Sequence, residues 1–212
     1  MNIPTKITTA RIVLVVCLLS FLLVFDFLSE SGVYQPIYFG PNGSINLVYF
    51  IAMIVFVIAS CTDFVDGYLA RKWHQVTDLG KFLDPVADKL LVNSILIYLA
   101  VSRYNNSMSI PAFAIIIMIA RDLVVDALRF VAASKGIVLA ANIFGKLKTV
   151  FQMVSIPVVL LNGWPFSYFD YGWNPYFRIA NILVYLATLM SFLSGVIYLC
   201  QNLSVFKEEK HD

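Results

Sequence analysis

Six apolar stretches, each about the length needed to cross a bilayer, leave this chain of 212 residues little to fold into except a bundle of membrane helices. They run over about Ile7–Leu28, Asn46–Leu69, Phe82–Val101, Ile110–Ala133, Phe144–Leu161 and Phe177–Leu199. In hydrocarbon, a helix satisfies every backbone N–H and C=O within its own segment, and no open sheet can do the same. Composition agrees: 60% of residues are hydrophobic, 13% are charged and the mean hydropathy is +0.81, well outside the range of a soluble domain. The expected fold is all-α, a polytopic membrane protein with six transmembrane helices forming one domain over residues 1–212. Met1–Ala10, which mixes polar and apolar groups around Lys6, is expected to form a short interfacial segment ahead of the first span.

A net charge of +2 is too small to imply nucleic-acid binding, so the placement of the charges carries the information. Lys6, Arg11, Arg71, Lys72, Lys81, Arg129, Lys135, Lys146, Lys148, Lys207 and Lys210 fall at one side of the six stretches, and only Arg103 and Arg178 at the other. Basic residues near span ends favour the cytoplasmic side, which puts both termini there in a multi-pass protein of the cell membrane. No small-x-small cleavage site follows the first stretch, so it is expected to stay as a span and not to be removed as a signal peptide. Trp164, Tyr168, Tyr171, Trp173 and Tyr176 crowd the connection before the last stretch, as interfacial aromatics do. Cys17, Cys61 and Cys200 are spaced for neither a disulfide framework nor a zinc site.

The chemistry concentrates in four carboxylates. Asp63 and Asp66 are three residues apart, and Asp84 and Asp88 are four apart, so each pair lies on one face of its own helix. A short connection makes these two helices antiparallel neighbours, so the four acids can converge. Each aspartate at membrane depth costs on the order of 2.5–3.5 kcal/mol, and clustered anions repel one another. Any single one could be a solvated acid at a helix end, but four within 26 positions require a positive partner. Lys89 and Arg71 are candidates; hard divalent cations, Mg2+ or Mn2+, match carboxylate oxygens better, and no thiolate or imidazole cluster selects zinc or iron. Four carboxylates suit two ions shared with substrate phosphates. Gly67 and Gly80 allow either a close ligand approach or helix packing, and Arg71 suits a diphosphate oxygen or a membrane-face anchor. Pro85 is expected in the first turn of its helix, with Asp84 at the helix start.

Asp63, Asp66, Gly67, Ala70, Arg71, Gly80, Asp84 and Asp88 meet every fixed position of the pattern D-x2-D-G-x2-A-R-x8-G-x3-D-x3-D. This resembles the signature of the CDP-alcohol phosphotransferases, a family of six-helix membrane enzymes. The resemblance implies a site for two divalent metal ions held by Asp63, Asp66, Asp84 and Asp88, with Asp88 also the catalytic general base. It implies that Thr8, Arg11, Gly67, Ala70, Arg71 and Gly80 bind the CDP-lipid; for Thr8 and Arg11 a helix cap and a membrane-face anchor are the alternatives.

A second polar set lies on the fourth stretch, where Asp122, Asp126 and Arg129 share a face and Arg121 lies beside it. It continues through Lys135 to Lys146 and Lys148. One reading is an internal ion-pair network, with Asp122 or Asp126 paired to Arg129; the other is a cationic pocket for an anionic acceptor, formed by Arg121, Arg129, Lys135, Lys146 and Lys148. This region resembles the branch of the family that takes sn-glycerol 3-phosphate, which implies phosphatidylglycerophosphate and CMP as products of phospholipid synthesis. Asp122 stands where that branch has glutamate, and Asp126 where a small residue is usual. The expected partners are CDP-diacylglycerol, glycerol 3-phosphate and membrane lipids, with no nucleic acid and with a homodimer as an allowed assembly. Alternatives are a sibling enzyme using inositol phosphate or serine, and a cation transporter with an acidic permeation site.

Overall fold

The computed structural model describes residues 3–40, 45–72, 78–102, 110–137, 139 and 142–202. Arg103, Lys207, Lys210 and the side chains of Asp66, Ala70, Arg71 and Lys81 lie outside the described residues. Six α-helices are present among the described residues: α1 Ile3–Glu30, α2 Leu47–Lys72, α3 Asp78–Val101, α4 Ala112–Ser134, α5 Ile143–Leu160 and α6 Ile179–Asn202. Each covers one of the six apolar stretches. Between α1 and α2, strands β1 (Tyr38–Phe39) and β2 (Ile45–Asn46) form a small antiparallel pair, with Tyr38 opposite Asn46 and Phe39 opposite Ile45.

The helix ends follow from local chemistry. The Asn142 side chain accepts a hydrogen bond from the Phe144 amide at 3.1 Å and starts α5. α5 ends where Asn162 and Gly163 turn into left-handed backbone at φ 54° and 83°, and the Gly163 amide returns to the Val158 carbonyl at 2.8 Å. The buried Asp170 carboxylate accepts from the Ile179 amide at 2.9 Å and closes the start of α6.

Two expectations need correction. Met1–Ala10 is not a separate interfacial piece: from Ile3 onward it is the first part of α1, and Thr5, Thr8 and Arg11 are buried there. Pro85 lies inside α3, which begins at Asp78, so Asp84 is not at the helix start. An interior proline lacks only the amide that would have bonded one turn back, and a helix can continue past it when its neighbours hold it.

α1 lies between α2 and α3, packing on each more closely than they pack on one another, while α6 packs on both α5 and α4. Leu22, Tyr49, Phe56, Leu91, Ile95, Met118 and Ile156 are buried along the shared core. The outside is apolar too: Leu23 and Phe27 of α1, Ile116, Leu123 and Phe130 of α4, and Phe192 of α6 are exposed, as are the free cysteines Cys17, Cys61 and Cys200. Such a large apolar exterior is unlike that of a water-soluble monomer. Among the described residues, three helical segments are long and apolar enough to cross a membrane: Thr5–Glu30, Ile143–Leu160 and Ile179–Asn202. The apolar part of α2 is shorter, and α3 and α4 carry the polar sets along their length.

Candidate active site

Both polar sets lie at the same end of the bundle, because successive helices alternate in direction. α1 joins the two aspartate pairs. Arg11, buried on α1, forms an ion pair with Asp63 of α2. One turn earlier, the buried Thr8 donates its hydroxyl to Oδ1 of Asp84 on α3 at 2.9 Å. Asp88, one turn beyond Asp84, is partly buried within electrostatic reach of Asp63, Arg11, Lys148 and Asp122. Gly80 is buried in the first turn of α3, and Gly67 is partly buried on α2. Asp66, Ala70 and Arg71 belong to α2, and their side chains are outside the described set. Among the described residues, no three acidic, histidine or cysteine side chains gather closely enough to hold a metal ion.

The second polar set surrounds a cavity of about 250 Å³ between α3, α4 and α5. Asp88 and Lys89 stand on its α3 wall, Arg121, Asp122, Asp126 and Arg129 on its α4 wall, and Lys148 on its α5 wall. Asp88 thus belongs to both sets. The ion pairs differ from the expected network. Asp122 is shared by two cations, with Lys148 Nζ donating to both carboxylate oxygens at 2.5 Å and Arg121 Nη1 to one of them at 2.9 Å. Asp126 pairs with Lys89 across the α3–α4 seam, so Lys89 offsets a carboxylate on α4. Arg129 pairs with neither aspartate; its Nε donates to the Tyr198 hydroxyl at 3.1 Å and its guanidinium lies 5.5 Å over the Tyr198 ring.

The cations lining the cavity, Lys89, Arg121, Arg129 and Lys148, outnumber the carboxylates Asp88, Asp122 and Asp126 by one, and Arg129 is the cation whose described partner is an uncharged phenol. Its forked N–H groups suit the planar recognition of phosphate or carboxylate. Lys135 and Lys146 do not join it: both are exposed, Lys135 just past the end of α4 and Lys146 in the first turn of α5. Spacing placed them near the pocket, but the helix rotation that buries Lys148 turns Lys146 away.

The Asp122–Lys148 pair is almost fully enclosed, with side chains 11% and 6% exposed. Lys148→Met would remove one of the two cations on Asp122 and leave Arg121 at 2.9 Å as its partner, so it is expected to cost about 2 kcal/mol of stability, the loss of a charged hydrogen bond and not of an isolated pair. Thermal unfolding in detergent checks this.

Residues 1–200 match the family model for CDP-alcohol phosphatidyltransferase. The CDP-diacylglycerol–glycerol-3-phosphate 3-phosphatidyltransferase of Bacillus subtilis (strain 168) is 38% identical over 208 residues, covering 97% of each chain. The proteins of the same name from Haemophilus influenzae (strain Rd) and Escherichia coli K12 are 36% and 34% identical, covering 93% and 92% of this chain and 91% and 94% of their own. With these matches running over nearly the whole helical bundle, the chain belongs to the CDP-alcohol phosphatidyltransferase family.

Proposed function

We propose that the protein transfers the phosphatidyl group of CDP-diacylglycerol to sn-glycerol 3-phosphate, releasing CMP and forming phosphatidylglycerophosphate. The observation that carries this reading is the cavity in which Asp88 faces cationic groups on α4 and α5. A small phosphorylated alcohol held by Arg129, with Arg121 and Lys148 beside it, would bring its hydroxyl toward Asp88. That carboxylate takes the proton as the hydroxyl oxygen bonds to the lipid-linked phosphorus and the phosphorus–oxygen bond to CMP breaks. The relatives that carry this activity in their names, matched over nearly their full lengths, support the choice of substrates.

Asp63, Asp66, Asp84 and Asp88 would hold two divalent ions, Mg2+ or Mn2+. The donor chemistry fits: the hydrogen bonds to Asp63 and Asp84 each use Oδ1, and every member of the set is a hard carboxylate. Bound ions would offset charge on the diphosphate and on the departing CMP. In this reading Thr8 and Arg11 brace the carboxylates beside the nucleotide end, while Gly67, Ala70, Arg71 and Gly80 enter as lipid-nucleotide contacts through the motif alone.

The site is placed at the cytoplasmic face of the cell membrane, with all six helices spanning. Support for α4 comes from its outward Ile116, Leu123 and Phe130, while Arg121 and Asp122 at mid-helix turn inward, so those two charges do not face lipid. Exposed Trp164, Tyr168, Tyr171 and Tyr176 between α5 and α6 would then mark the outer interface.

The test is CMP release from purified protein given CDP-diacylglycerol and either glycerol 3-phosphate, inositol phosphate or serine. Turnover is expected with glycerol 3-phosphate alone. Loss of a charge-assisted hydrogen bond is worth about 1.5–3 kcal/mol, so Arg129→Ala should raise the KM for glycerol 3-phosphate roughly 10- to 100-fold. The KM for CDP-diacylglycerol should stay within about twofold. An unchanged acceptor dependence would reject the pocket.

A further inference from the structure

Both arginines on the α4 wall of the cavity are fixed from behind by α6, a helix with no residue among those lining it. Ser194, Gly195 and Tyr198 fall on one face of α6. The Ser194 hydroxyl accepts from Arg121 Nη2 at 2.6 Å. Gly195 leaves room for the stem of the same side chain: a Cβ there would stand 2.9 Å from Arg121 Cγ, closer than side chains tolerate. Gly145 on α5 does the same for the head of Arg121, where a Cβ would come 2.9 Å from Nη2. One turn along α6, Tyr198 is 1% exposed and supplies both the hydroxyl and the ring that hold Arg129. A stem contact at Cγ cannot be relieved by swinging the far end of a side chain, so Gly195 sets where the Arg121 guanidinium can be.

We propose that Ser194, Gly195 and Tyr198 are positioning residues for the acceptor: α6 holds Arg121 and Arg129 in the one arrangement that fits a phosphorylated alcohol. The proposal rests on the reading of the cavity as the glycerol 3-phosphate site. Its physical content is preorganisation, in which a site with its cations already fixed loses little freedom on binding. None of the three touches the substrate, so their effect should be confined to the acceptor and should run through the arginines.

The experiment uses the full-length protein in detergent micelles and reads CMP release while glycerol 3-phosphate and CDP-diacylglycerol are varied separately. Gly195→Ala is expected to raise the KM for glycerol 3-phosphate at least about tenfold, with the KM for CDP-diacylglycerol within about twofold. Ser194→Ala should act in the same direction, and Ser194→Thr, which keeps the hydroxyl, should stay closer to the parent. Tyr198→Phe, which keeps the ring, should fall between the parent and Tyr198→Leu. Ser194→Ala and Tyr198→Phe only remove atoms, so they decide the matter if Gly195→Ala does not fold. On an Arg121→Ala background the effect of Gly195→Ala should vanish, because a residue that works through another adds nothing once that other is gone. Acceptor KM values within twofold of the parent in Ser194→Ala and Tyr198→Leu, while Arg121→Ala and Arg129→Ala raise theirs, would overturn this role for α6 and leave the pocket standing. A flat acceptor KM in the two arginine variants would remove the pocket and this proposal together.

Discussion

Asp84→Asn protein is expected to release CMP at least about 100- to 1000-fold more slowly than the parent while keeping its fold, the loss seen when one preorganised charge-stabilising group is removed from an active site. The fold should survive because asparagine has the same shape and retains an oxygen that can accept the Thr8 hydroxyl, now at 2.9 Å from Asp84 Oδ1. What disappears is the negative charge, which α1 does not need but a cation would. Asp63→Asn should lose activity as well, with an added effect on stability, because it also removes the charge from one side of the buried Arg11–Asp63 ion pair. Parallel measurements of CMP release and of helical thermal unfolding separate the two. Turnover in Asp84→Asn within twofold of the parent would sink the assignment of the carboxylates to the reaction.

Chelation should have an effect of similar size. If the aspartates of α2 and α3 hold divalent ions, excess EDTA is expected to lower CMP release at least about 100-fold, since metal stabilisation of transferring phosphate is worth several kcal/mol and each 1.36 kcal/mol is tenfold in rate. Mg2+ or Mn2+ added in excess should restore it. A reading in which Arg11 alone offsets the acids predicts no such dependence, because a guanidinium cannot be chelated away. Full activity after exhaustive EDTA treatment would therefore decide for the arginine and against the ions.

The six helices could be read from the chain because each apolar stretch is long enough for a helix of five or more turns and is bounded by polar or turn-rich residues. The aspartate pairs were visible for a related reason: spacings of three and four place side chains on one helical face whatever surrounds the helix. What spacing cannot express is which helices touch. The sequence suggested α2 and α3 as direct neighbours, and they do touch, but α1 packs on each more closely and ties Thr8 to Asp84 and Arg11 to Asp63. Asp126 and Arg129 share a face of α4, yet Asp126 turns to Lys89 and Arg129 to Tyr198, partners 37 and 69 positions away. Ser194 and Gly195 belong to no motif in the sequence, and only the position of Arg121 gives them a meaning. Pro85 was misplaced by applying the rule for helix starts to a helix that begins two turns earlier.

The far end of the bundle from the carboxylates carries a polar cluster of its own. There Tyr98 of α3 donates its hydroxyl to Asp26 of α1 at 3.0 Å, and the Tyr49 hydroxyl of α2 lies 2.9 Å from that of Ser102, just past α3. Arg11 and Asp26 are fifteen residues apart on α1, roughly 22 Å at 1.5 Å per residue, so the first three helices are clasped at two distant points. Sliding any of them by one turn would undo both clasps at once. The first three helices are thus tied to one another at both ends, and Lys89 and Asp126 add an ion pair between α3 and α4 where this group meets the second half of the bundle.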